Sequence, residues 1–470
     1  MVARRKAAPR KRVPKAAPKP QELTVNPPGD VSGGTARYLV GDVFDALTTL
    51  APNSVDLVVT SPPFLNLREY LPEGHPMKDK EIGREFTPAA FITSLLLVTN
   101  ALGRVLAPHG TIVIELGDTY SNGATSTKQN VAPSHAESQD GIPGKKRSGR
   151  TTTIDEAKDK GFGGFLSFTK HGGDGWPQAK SLCGVPTLYA WSLAYGRNLL
   201  DPIAINIEPW IVRNLMVWCK PSAPVQELRD KFRASSSFIT VATRSPDRYF
   251  DLFGVLRVDG DEQREDPEMF PNLSAKQLSE GFVVGAPPKD YLVINAKGFG
   301  GAHYATYPAE LIEIPVDAMC PHRVCTVCGE PSRRVIESVR LSKDGTPITK
   351  DYKDGMDRKA LDGTVGNRRV GLAPDTYKHT VRKHVGWTDC GHDAYRAGVV
   401  LDPFAGSGTT LAVATGRGRD AIGIDVDERN VDLARERVGP MLFSSSAVSA
   451  PTNEWCFEPT TDTQPEEDLW

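Results

Sequence analysis

The stretch VVLDPFAGSGTTLAVATGRGRDAIGIDVDERNVDLARERV, residues 399–438, decides the fold class. An apolar strand is predicted to end at Asp402, a glycine-rich turn follows, and a helix is predicted to begin near Thr409. A second strand, AIGID, ends at Asp425. This order is typical of a nucleotide-type site, in which glycines admit the ligand and the acid binds ribose hydroxyls. An ordinary βαβ crossover with a tight glycine turn is the alternative.

The residues around this turn narrow the choice of ligand. GSGTT lacks the third glycine of the dinucleotide fingerprint, and no Lys precedes Thr409 as it would in a Walker loop. Asp402, in front of the turn, would repel a pyrophosphate, so a cationic ligand fits better. S-adenosylmethionine carries a sulfonium and an ammonium group, and it is therefore the predicted ligand.

A second informative stretch, SVDLVVTSPPF at residues 54–64, comes early in the chain. Its first half is short, apolar and β-branched, which predicts a buried strand of a parallel sheet. Pro62 and Pro63 cannot continue the strand, so the carbonyls of Ser61 and Pro62 face the space beyond the sheet edge. Ligands bind at that edge in open α/β sheets. A strand that ends in a Pro-Pro turn, with Phe64 in the core, is the alternative.

Composition bounds the class of protein. The chain has 470 residues, 39% of them hydrophobic. No apolar run approaches the ~18 residues of a membrane span. Seven cysteines, an odd number that includes one CxxC pair, favour reduced thiols inside a cell, and the start MVARR lacks the apolar core of a secretory signal. We therefore expect no membrane segment and no disulfide framework.

The net charge of −2 hides an asymmetry between the two ends of the chain. Residues 1–22 contain eight Lys or Arg residues among Ala and Pro, whereas no basic residue follows Arg437. These compositions predict disorder at both ends. The basic arm is expected to contact nucleic-acid phosphates in a salt-sensitive way, with a merely solubilising tail as the alternative.

The two motifs together resemble those of a known enzyme family. TSPPF followed by DPFAGSGTT is similar to the amino-methylating DNA methyltransferases of bacteria and their phages, in the permuted arrangement with the catalytic motif before the cofactor motif. The likeness extends to GDVFDALTTL, ELGDTY, KSLCGVPTLYAWSLAYGRNLL, VWCKP, ITVATRSPDRYFD and HYATYPAELI, and it covers most of residues 36–438. It implies an α/β fold with a doubly wound, mostly parallel, seven-stranded Rossmann-like methyltransferase sheet, polar inserts and a small zinc knuckle.

The resemblance also implies how the SPPF motif works. In this family the motif binds the target base, and its serine form is typical of enzymes that methylate the exocyclic N4 amine of cytosine. The Ser61 hydroxyl and the Pro62 carbonyl would accept the amine hydrogens, while Phe64 would stack on the flipped base. Adenine N6 is the alternative target, since the serine form is not diagnostic by itself.

The remaining site residues follow from the same resemblance. Methylation at carbon 5 would need a cysteine after a proline, and because none exists, Cys183 and Cys219 are predicted to be packed thiols. Lys220 is expected to face the DNA or the target base, with a solvated surface role as the alternative. The predicted catalytic residues are Ser61, Pro62, Pro63 and Phe64. The predicted cofactor-binding residues are Asp42, Thr60, Asp402, Phe404, Gly406, Ser407, Gly408, Thr409 and Asp425.

A third group of residues predicts a metal site. The segments CPHRVCTVCGE and WTDCGHDA contain a CxxC knuckle and a CxH pair, which together supply the four ligands of a closed zinc site. Such cysteine pairs before the glycine loop recur in phage-type members of the family. The predicted ligands are Cys325, Cys328, Cys390 and His392, with Cys320 and His322 as spare candidates. Free thiols are the alternative, and a zinc ion here would be structural.

The motifs divide the chain into segments. The catalytic half is predicted to precede the cofactor half, with polar inserts between the ordered blocks. The predicted segments are a disordered basic arm (1–35), the catalytic half (36–118), a mobile polar insert (119–180), a continuation of the catalytic half (181–250), a candidate target-recognition region (251–300), a helix (301–317), a zinc knuckle with a basic insert (318–395), the S-adenosylmethionine-binding half (396–440) and a disordered acidic tail (441–470).

These features predict a site-specific DNA methyltransferase that transfers a methyl group from S-adenosylmethionine to cytosine N4 in duplex DNA after base flipping. Its expected partner is duplex DNA, and a cognate restriction endonuclease is a further candidate partner. Its expected location is the cytoplasm of a bacterial or phage-infected cell. The alternatives are an adenine-N6 enzyme, an RNA methyltransferase, and a non-catalytic zinc-containing DNA-binding protein. Only the enzymes should bind S-adenosylmethionine.

Overall fold

The computed structural model describes residues 34–121, 173–223, 230–256, 281–283, 287–295, 307–341 and 379–448. These residues form two compact units. The larger unit comprises the described parts of 33–250, 289–320 and 397–470, and the smaller unit those of 251–288 and 321–396. Residues 1–33 of the predicted basic arm, most of both polar inserts and most of the acidic tail lie outside the described residues.

The secondary structure alternates between strands and helices in the larger unit. The strands are β1 (Ala36–Val40), β2 (Val55–Thr60), β3 (Leu106–Leu116), β4 (Ile211–Cys219), β5 (Ser236–Thr243), β6 (Phe282–Val283), β7 (Tyr291–Val293), β8 (Arg323–Cys325), β9 (Arg334–Leu341), β10 (His379–Trp387), β11 (Tyr395–Ala397), β12 (Val399–Asp402), β13 (Asp420–Asp425) and β14 (Phe443–Ala447). The α-helices are α1 (Val43–Thr48), α2 (Pro88–Val105), α3 (Val185–Tyr195), α4 (Glu310–Met319), α5 (Thr409–Gly416) and α6 (Asn430–Val438), and short 3₁₀ turns cover Lys78–Lys80, Leu252–Gly254 and Pro440–Leu442.

The larger unit is built on one sheet in the order β14-β1-β13-β12-β2-β3-β5-β4-β7. Every strand runs in the same direction except β5, which is antiparallel to both β3 and β4. The predicted α/β class and mostly parallel sheet are confirmed. The sheet has nine strands where seven were expected, because β14 and β7 extend its two edges.

The order of the strands reverses between β12 and β2. From β2 the chain crosses to β3 on one side, whereas from β12 it crosses to β13 on the other. Parallel crossovers are right-handed, so α2 and α5 cover opposite faces of the sheet, as the doubly wound prediction requires. The chains that leave β2 and β12 separate at their carboxyl ends and open a crevice. We call this side of the sheet the catalytic edge.

The central strand β2 carries one acid in an otherwise apolar core. Asp56 is fully buried, and its two carboxylate oxygens accept from His109 Nε2 at 2.9 Å and from the Val399 amide at 2.8 Å. A buried carboxylate needs such partners because desolvation otherwise excludes it. This pair ties β2 to the start of β12 and to β3.

Helix α2 is the one helix in the described ranges that is long and apolar enough to cross a membrane, with a mean hydropathy of 1.3. Most of its apolar side chains pack into the core of the larger unit, where Phe91, Ile92 and Leu96 are fully buried, whereas Leu97 is 40% exposed. Thr87 caps its first turn by accepting from the Ala90 amide at 3.1 Å. We therefore assign α2 as a core helix.

Three segments differ from their predicted boundaries. Part of the tail predicted to be disordered forms β14, which pairs with β1 through Phe443–Ala447. The ends of the second basic insert form β9 and β10. The candidate target-recognition region, 251–300, is divided between the two units, since β6 belongs to the smaller unit and β7 joins the main sheet. These polar segments form strands because pairing with a neighbouring strand stabilises them. Their own sequences do not indicate this pairing.

The smaller unit contains a three-stranded sheet, β6-β10-β9, and the pair β8 and β11. Arg334 at the start of β9 contacts both carboxylate oxygens of the buried Asp251 at 3.0 Å. Trp387 at the end of β10 is fully buried, and the Arg334 guanidinium lies 4.6 Å from its ring centroid. This bidentate pair and the tryptophan form the core of the unit.

Candidate functional site

The catalytic edge brings the SPPF motif against the end of β3. Thr60 pairs with Ile114 in the parallel register of β2 and β3, so Ser61 comes next to Glu115. The Ser61 hydroxyl donates to Glu115 Oε2 at 2.6 Å. Because the hydroxyl proton is directed at the carboxylate, the lone pairs of Ser61 Oγ remain available to accept from a substrate.

Glu115 is buried, with 5% of its surface exposed, and its second oxygen has no hydrogen-bond partner in the described structure. Lys220, just after β4, places its ammonium group 3.8 Å from that oxygen and 4.0 Å from the ring centroid of Trp218. Burial lowers the pKa of Lys220, and the negative charge of Glu115 opposes this shift. Glu115 therefore links Lys220 to Ser61 at this edge of the sheet.

The rest of the motif is held by close backbone packing. Pro62 is buried, whereas Pro63 and Phe64 are half-buried. A Cβ atom on Gly117 would lie 2.7 Å from Phe64 Cε2, so only a glycine at the end of β3 lets the ring lie there. The Phe64 ring is thus fixed against the backbone of Gly117 at this edge of the sheet.

Asp402, at the end of β12, is a hydrogen-bond hub. It is 1% exposed, and its carboxylate accepts from Thr60 at 2.6 Å, Thr410 at 2.6 Å, Tyr307 at 2.9 Å and the Phe404 amide at 3.1 Å. Burial raises the pKa of Asp402, and these donors oppose the shift. Four donors occupy its lone pairs, so Asp402 fixes the loop to the catalytic strand and has no capacity left for a ligand. Thr60 belongs to this link.

The two glycines of the loop serve different needs. Gly406 has φ +49°, and a Cβ atom there would meet nothing within 4 Å, so open space lies next to its backbone. Gly408 has φ +78°, and its Cβ atom would lie 2.8 Å from the Cβ of Ala434 on α6. Gly406 therefore borders the space where a ligand fits, whereas Gly408 is required by the packing of α6.

The two hydroxyls of the loop also differ. The Ser407 hydroxyl is buried without a hydrogen-bond partner among the described residues, as expected of a group that awaits a ligand or a water. The Thr409 hydroxyl, in contrast, accepts from the Arg437 guanidinium of α6. Ser407 thus fits its predicted cofactor role, and Thr409 has a structural partner instead.

Two further acids lie at the carboxyl ends of neighbouring strands. Asp425 ends β13 and accepts from the Gly406 amide at 2.8 Å, and burial raises its pKa to about 6. Asp42 follows β1 and caps α1 by accepting from the Phe44 amide at 2.9 Å. Burial raises the pKa of Asp42 as well. The β1–β13 pairing therefore brings together two of the predicted cofactor residues.

The predicted metal ligands meet in the smaller unit. The ligand atoms of Cys325, Cys328, Cys390 and His392 all lie within 4.8 Å of one another. Cys325 Sγ lies 3.5 Å from His392 Nδ1 and also accepts from the Cys328 amide at 3.5 Å. A tetrahedral zinc ion with a metal–sulfur bond of about 2.3 Å needs ligand atoms about 3.8 Å apart. The cluster fits zinc.

The other cysteines and the spare histidine lie outside this cluster. His322 packs its ring against Trp387 at 5.4 Å, and Cys320 is fully buried at the end of α4. Burial next to Asp118 raises the pKa of the Cys183 thiol to about 11, and Cys219 is half-buried in β4. Cys183 is thus a packed, unreactive thiol, as expected.

A model of a known protein family matches the part of the chain that contains this site. The model of the N6/N4-type DNA methylase family matches residues 55–322 and 394–436, which include the SPPF motif, Glu115, Lys220 and the glycine loop. The chain belongs to this family. It is an S-adenosylmethionine-dependent DNA methyltransferase of the amino-methylating N6/N4 class.

Individual relatives are more distant. The methyltransferase is 26% identical over 292 residues to the Type II methyltransferase M.Cfr9I of Citrobacter freundii, covering 62% of this chain and 74% of the relative. It is 23% identical over 404 residues to the Type II methyltransferase M.SmaI of Serratia marcescens, covering 86% and 91%. Among solved structures, the cytosine-N4-specific PvuII DNA methyltransferase aligns with a TM-score of 0.41 and 15% identity over 86% of this chain and 87% of that one.

Sequence reasoning about the methyltransferase missed two site residues. Glu115 is the partner of Ser61, and its signal is an acid in the otherwise apolar strand GTIVIEL. Tyr307 donates to Asp402 and contacts the Thr410 hydroxyl. Burial raises the pKa of Tyr307, and the negative charge of Asp402 raises it further. The phenol therefore stays protonated and can act as a hydrogen-bond donor. Tyr307 lies in the stretch HYATYPAELI, but that stretch does not reveal its role, because its partners Asp402 and Thr410 lie about a hundred residues along the chain.

Proposed function

We propose that this methyltransferase methylates the exocyclic N4 amine of cytosine in duplex DNA, after the target base has been flipped into the catalytic edge. The observation that carries the proposal is the hydrogen bond from the half-buried Ser61 to the buried Glu115, beside the Pro62 carbonyl. The serine form of the motif supports cytosine over adenine, as the likeness to the family implies.

The chain supplies acceptors for the amine hydrogens. An amine conjugated to its ring is a poor nucleophile, and acceptors that hold its hydrogens turn its lone pair out of the ring plane. Ser61 Oγ can accept one hydrogen because its own proton points to Glu115 at 2.6 Å. The Pro62 carbonyl accepts the second, and the rigid Pro62-Pro63 backbone holds both acceptors in place.

Glu115 completes the path for the proton. The amine lone pair forms the new N–C bond, and the methylated nitrogen must then lose one hydrogen as a proton. Ser61 can receive this proton on Oγ while it passes its own proton to Glu115 Oε2. The Lys220 ammonium lies 3.8 Å from Glu115 Oε1 and holds this side chain beside Ser61.

The residues around the glycine loop fit S-adenosylmethionine. When bound, this cofactor supplies an electrophilic methyl group on a positively charged sulfonium. The open space beside Gly406 and the unpaired Ser407 hydroxyl accommodate a ligand at the loop. Asp425 keeps acceptor capacity for ribose hydroxyls beyond the bonds it makes to the protein, and Asp42 lies at the neighbouring strand end for the adenine.

The product identifies the target base. DNA digested after incubation with the protein and S-adenosylmethionine should contain N4-methylcytosine when it is analysed by mass spectrometry. If N6-methyladenine is found instead, adenine is the target base, and the proposed amine chemistry is unchanged. Methylation of structured RNA but not of duplex DNA would overturn the DNA proposal. Wild-type protein that methylates no base in any DNA offered would overturn the whole proposal.

We also propose that Cys325, Cys328, Cys390 and His392 hold one structural zinc ion. Protein purified without added zinc should contain about one equivalent, and Cys328→Ser should lower both the metal content and the melting temperature. Cys183→Ser serves as the control, since Cys183 lies outside the cluster and should not change the metal content. A stable wild type without metal would remove the ion from the proposal.

The cellular setting follows from the proposed substrate. The enzyme would act on duplex DNA in the cytoplasm of a bacterial or phage-infected cell, with the basic arm of residues 1–22 adding salt-sensitive affinity for phosphates. A cognate restriction endonuclease would be its functional counterpart, because the relatives are Type II methyltransferases. Deleting residues 1–22 should therefore weaken DNA binding most at low salt, and it should leave the identity of the methylated base unchanged.

A further inference from the structure

Phe232 is an aromatic side chain that packs against almost nothing in the described part of the chain. It is 99% exposed, the largest exposure among the described large hydrophobic residues. A phenylalanine side chain gains free energy when it is buried away from water, and Phe232 forgoes this gain in the free protein. One exposed aromatic is ordinary on a protein surface, so its position and its neighbours decide whether it has a function.

Phe232 lies at the catalytic edge. The chain leaves β4 at Lys220, and the Lys220 amide donates to the Ser235 carbonyl at 2.7 Å, just before β5 begins. Three residues of extended chain span at most about 10 Å, so the Phe232 backbone lies within that distance of Ser235. Ser235 in turn adjoins Lys220, whose ammonium group reaches Glu115. The Phe232 backbone therefore lies at the end of the sheet that carries Lys220, within about 10 Å of Ser235.

The residues before Phe232 are anchored to the same edge. Lys180 Nζ lies 2.7 Å from Asp230 Oδ2, and Lys231 Nζ lies 3.8 Å from the ring centroid of Tyr120, four residues after β3. The Ser121 amide also donates to the Ser181 carbonyl at 2.9 Å, which joins these two segments. A loop held at these points presents the next side chain, Phe232, outward.

The charges beside Phe232 suit a polyanion. Lys231 and Arg233 flank it in sequence, and both are exposed. A second exposed phenylalanine, Phe86 at 91%, also lies at the catalytic edge before α2, but it follows Glu85. Cations next to an aromatic ring favour contact with phosphates on either side of a base, whereas an acid opposes it. These charges select Phe232 over Phe86.

We infer that Phe232 inserts into the base stack of duplex DNA and fills the gap that the flipped target base leaves. Flipping removes the stacking of the target base, and an apolar wedge that replaces it lowers the cost of the flipped state. The inference rests on the proposed function, because only an enzyme that acts on a duplex needs the wedge. Phe232 is then a positioning residue, since it acts on the DNA stack and does not touch the reacting amine.

The test compares two DNA substrates that differ only in the cost of flipping. The first is a duplex that carries the site methylated by the wild type, and the second has an abasic nucleotide opposite the target base. Phe232→Ala should slow single-turnover methylation of the first substrate at least about tenfold, the worth of one stacked base. On the second substrate its rate should return to within about threefold of the wild type, since the target base there has no pairing to lose. Phe232→Trp should retain the wild-type rate on both.

Two matched variants act as controls. Ile203 is 92% exposed in the loop between α3 and β4, at the edge where β4 begins, so Ile203→Ala should behave as the wild type on both substrates. Phe86→Ala should do the same. Equal rates of Phe232→Ala and wild type on the normal duplex would overturn the wedge, as would equal slowing on both substrates or a rescue pattern in Phe86→Ala instead. A wild type that methylates no DNA would overturn the proposed function itself, which separates the two failures.

Discussion

The cofactor loop, Asp402–Thr409, and the catalytic stretch, Ser61–Phe64, lie side by side at the catalytic edge but use their polar groups differently. In the loop, the Asp402 carboxylate accepts hydrogen bonds from four protein donors, which fill its lone pairs. In the catalytic stretch, the Ser61 hydroxyl donates to Glu115, whose second oxygen has no hydrogen-bond partner in the described structure. A polar group whose hydrogen-bonding capacity is filled by the protein, which we call saturated, stabilises the fold. A polar group with capacity left can bind a substrate.

This difference predicts which measurement each substitution changes. Replacing a saturated buried group leaves its partners unpaired in the folded state, so the loss is one of stability. Replacing a group whose capacity is reserved for the transition state lowers the rate and leaves the fold intact. The following experiments can break or sharpen this comparison.

Asp402→Ala should have the largest effect. Four donors lose their acceptor in the buried core, so the free energy of unfolding should fall by about 3 to 5 kcal/mol in urea denaturation. Asp432→Ala is the control, since that side chain is 87% exposed on α6 and its loss should change stability by less than about 0.5 kcal/mol. A loss below about 1 kcal/mol for Asp402→Ala would show that the loop is not a scaffold.

Glu115→Gln should come next, and it should act on the rate. Without the carboxylate, Ser61 cannot pass on the proton, so single-turnover methyl transfer should slow by about 10² to 10³ while cofactor affinity and unfolding stay the same. The double variant Ser61→Ala, Glu115→Gln should be no slower than the slower single variant, because the two residues act as one unit. If the rate losses of the two single variants multiply in the double variant, Glu115 and Ser61 act independently.

The two loop glycines offer a matched pair of smaller effects. Gly408→Ala should lower the free energy of unfolding by about 2 to 3 kcal/mol, because its methyl group would collide with Ala434 and the residue has a positive φ. Gly406→Ala should cost only about 1 kcal/mol for its positive φ, but the methyl group enters the open space and should weaken S-adenosylmethionine binding in calorimetry. The reverse ranking would contradict the packing role of Gly408.

The smallest expected effect is a pH dependence of cofactor affinity. The pKa of Asp425 is raised by burial to about 6, and its carboxylate is the better acceptor for ribose hydroxyls. Affinity should therefore be constant above pH 7 and fall about tenfold by pH 5, where about a tenth of Asp425 is ionised. Asp425→Asn should bind more weakly at pH 7 and show a flat profile in calorimetry.

The same group affects stability with the opposite sign. A folded pKa above the ordinary Asp value means that the folded protein binds the proton more tightly than the unfolded chain. The contribution of Asp425 to the stability of the cofactor-free protein should thus decrease as the pH rises from about 4 to 6. Asp425→Asn should remove this slope from the urea midpoints, and an unchanged slope would assign the titration to another group.

Several elements were predictable from the sequence because their signals are local. The ends of β12 at Asp402 and of β13 at Asp425, and the start of α5 at Thr409, all fall where the pattern of apolar residues and glycines puts them. The cluster of Cys325, Cys328, Cys390 and His392 was predictable from spacing, since two short knuckles nearly determine it. In contrast, β14 was predicted to be disordered, because FSSSA has little apolar content and forms a strand only beside β1.

By itself, the sequence determined the glycine turn, the Pro-Pro stop after β2, the knuckle spacing and, through them, the enzyme family. These are properties of contiguous chain, set by backbone geometry and by the identity of ligands. Only the tertiary structure decided that Glu115 partners Ser61, that Gly408 serves packing, and that Asp402 is saturated. Such pairings join residues far apart in sequence, as with Thr60 and Asp402, 342 residues apart, and strand order and register bring them together. A pattern within one segment cannot encode the neighbour that another segment supplies.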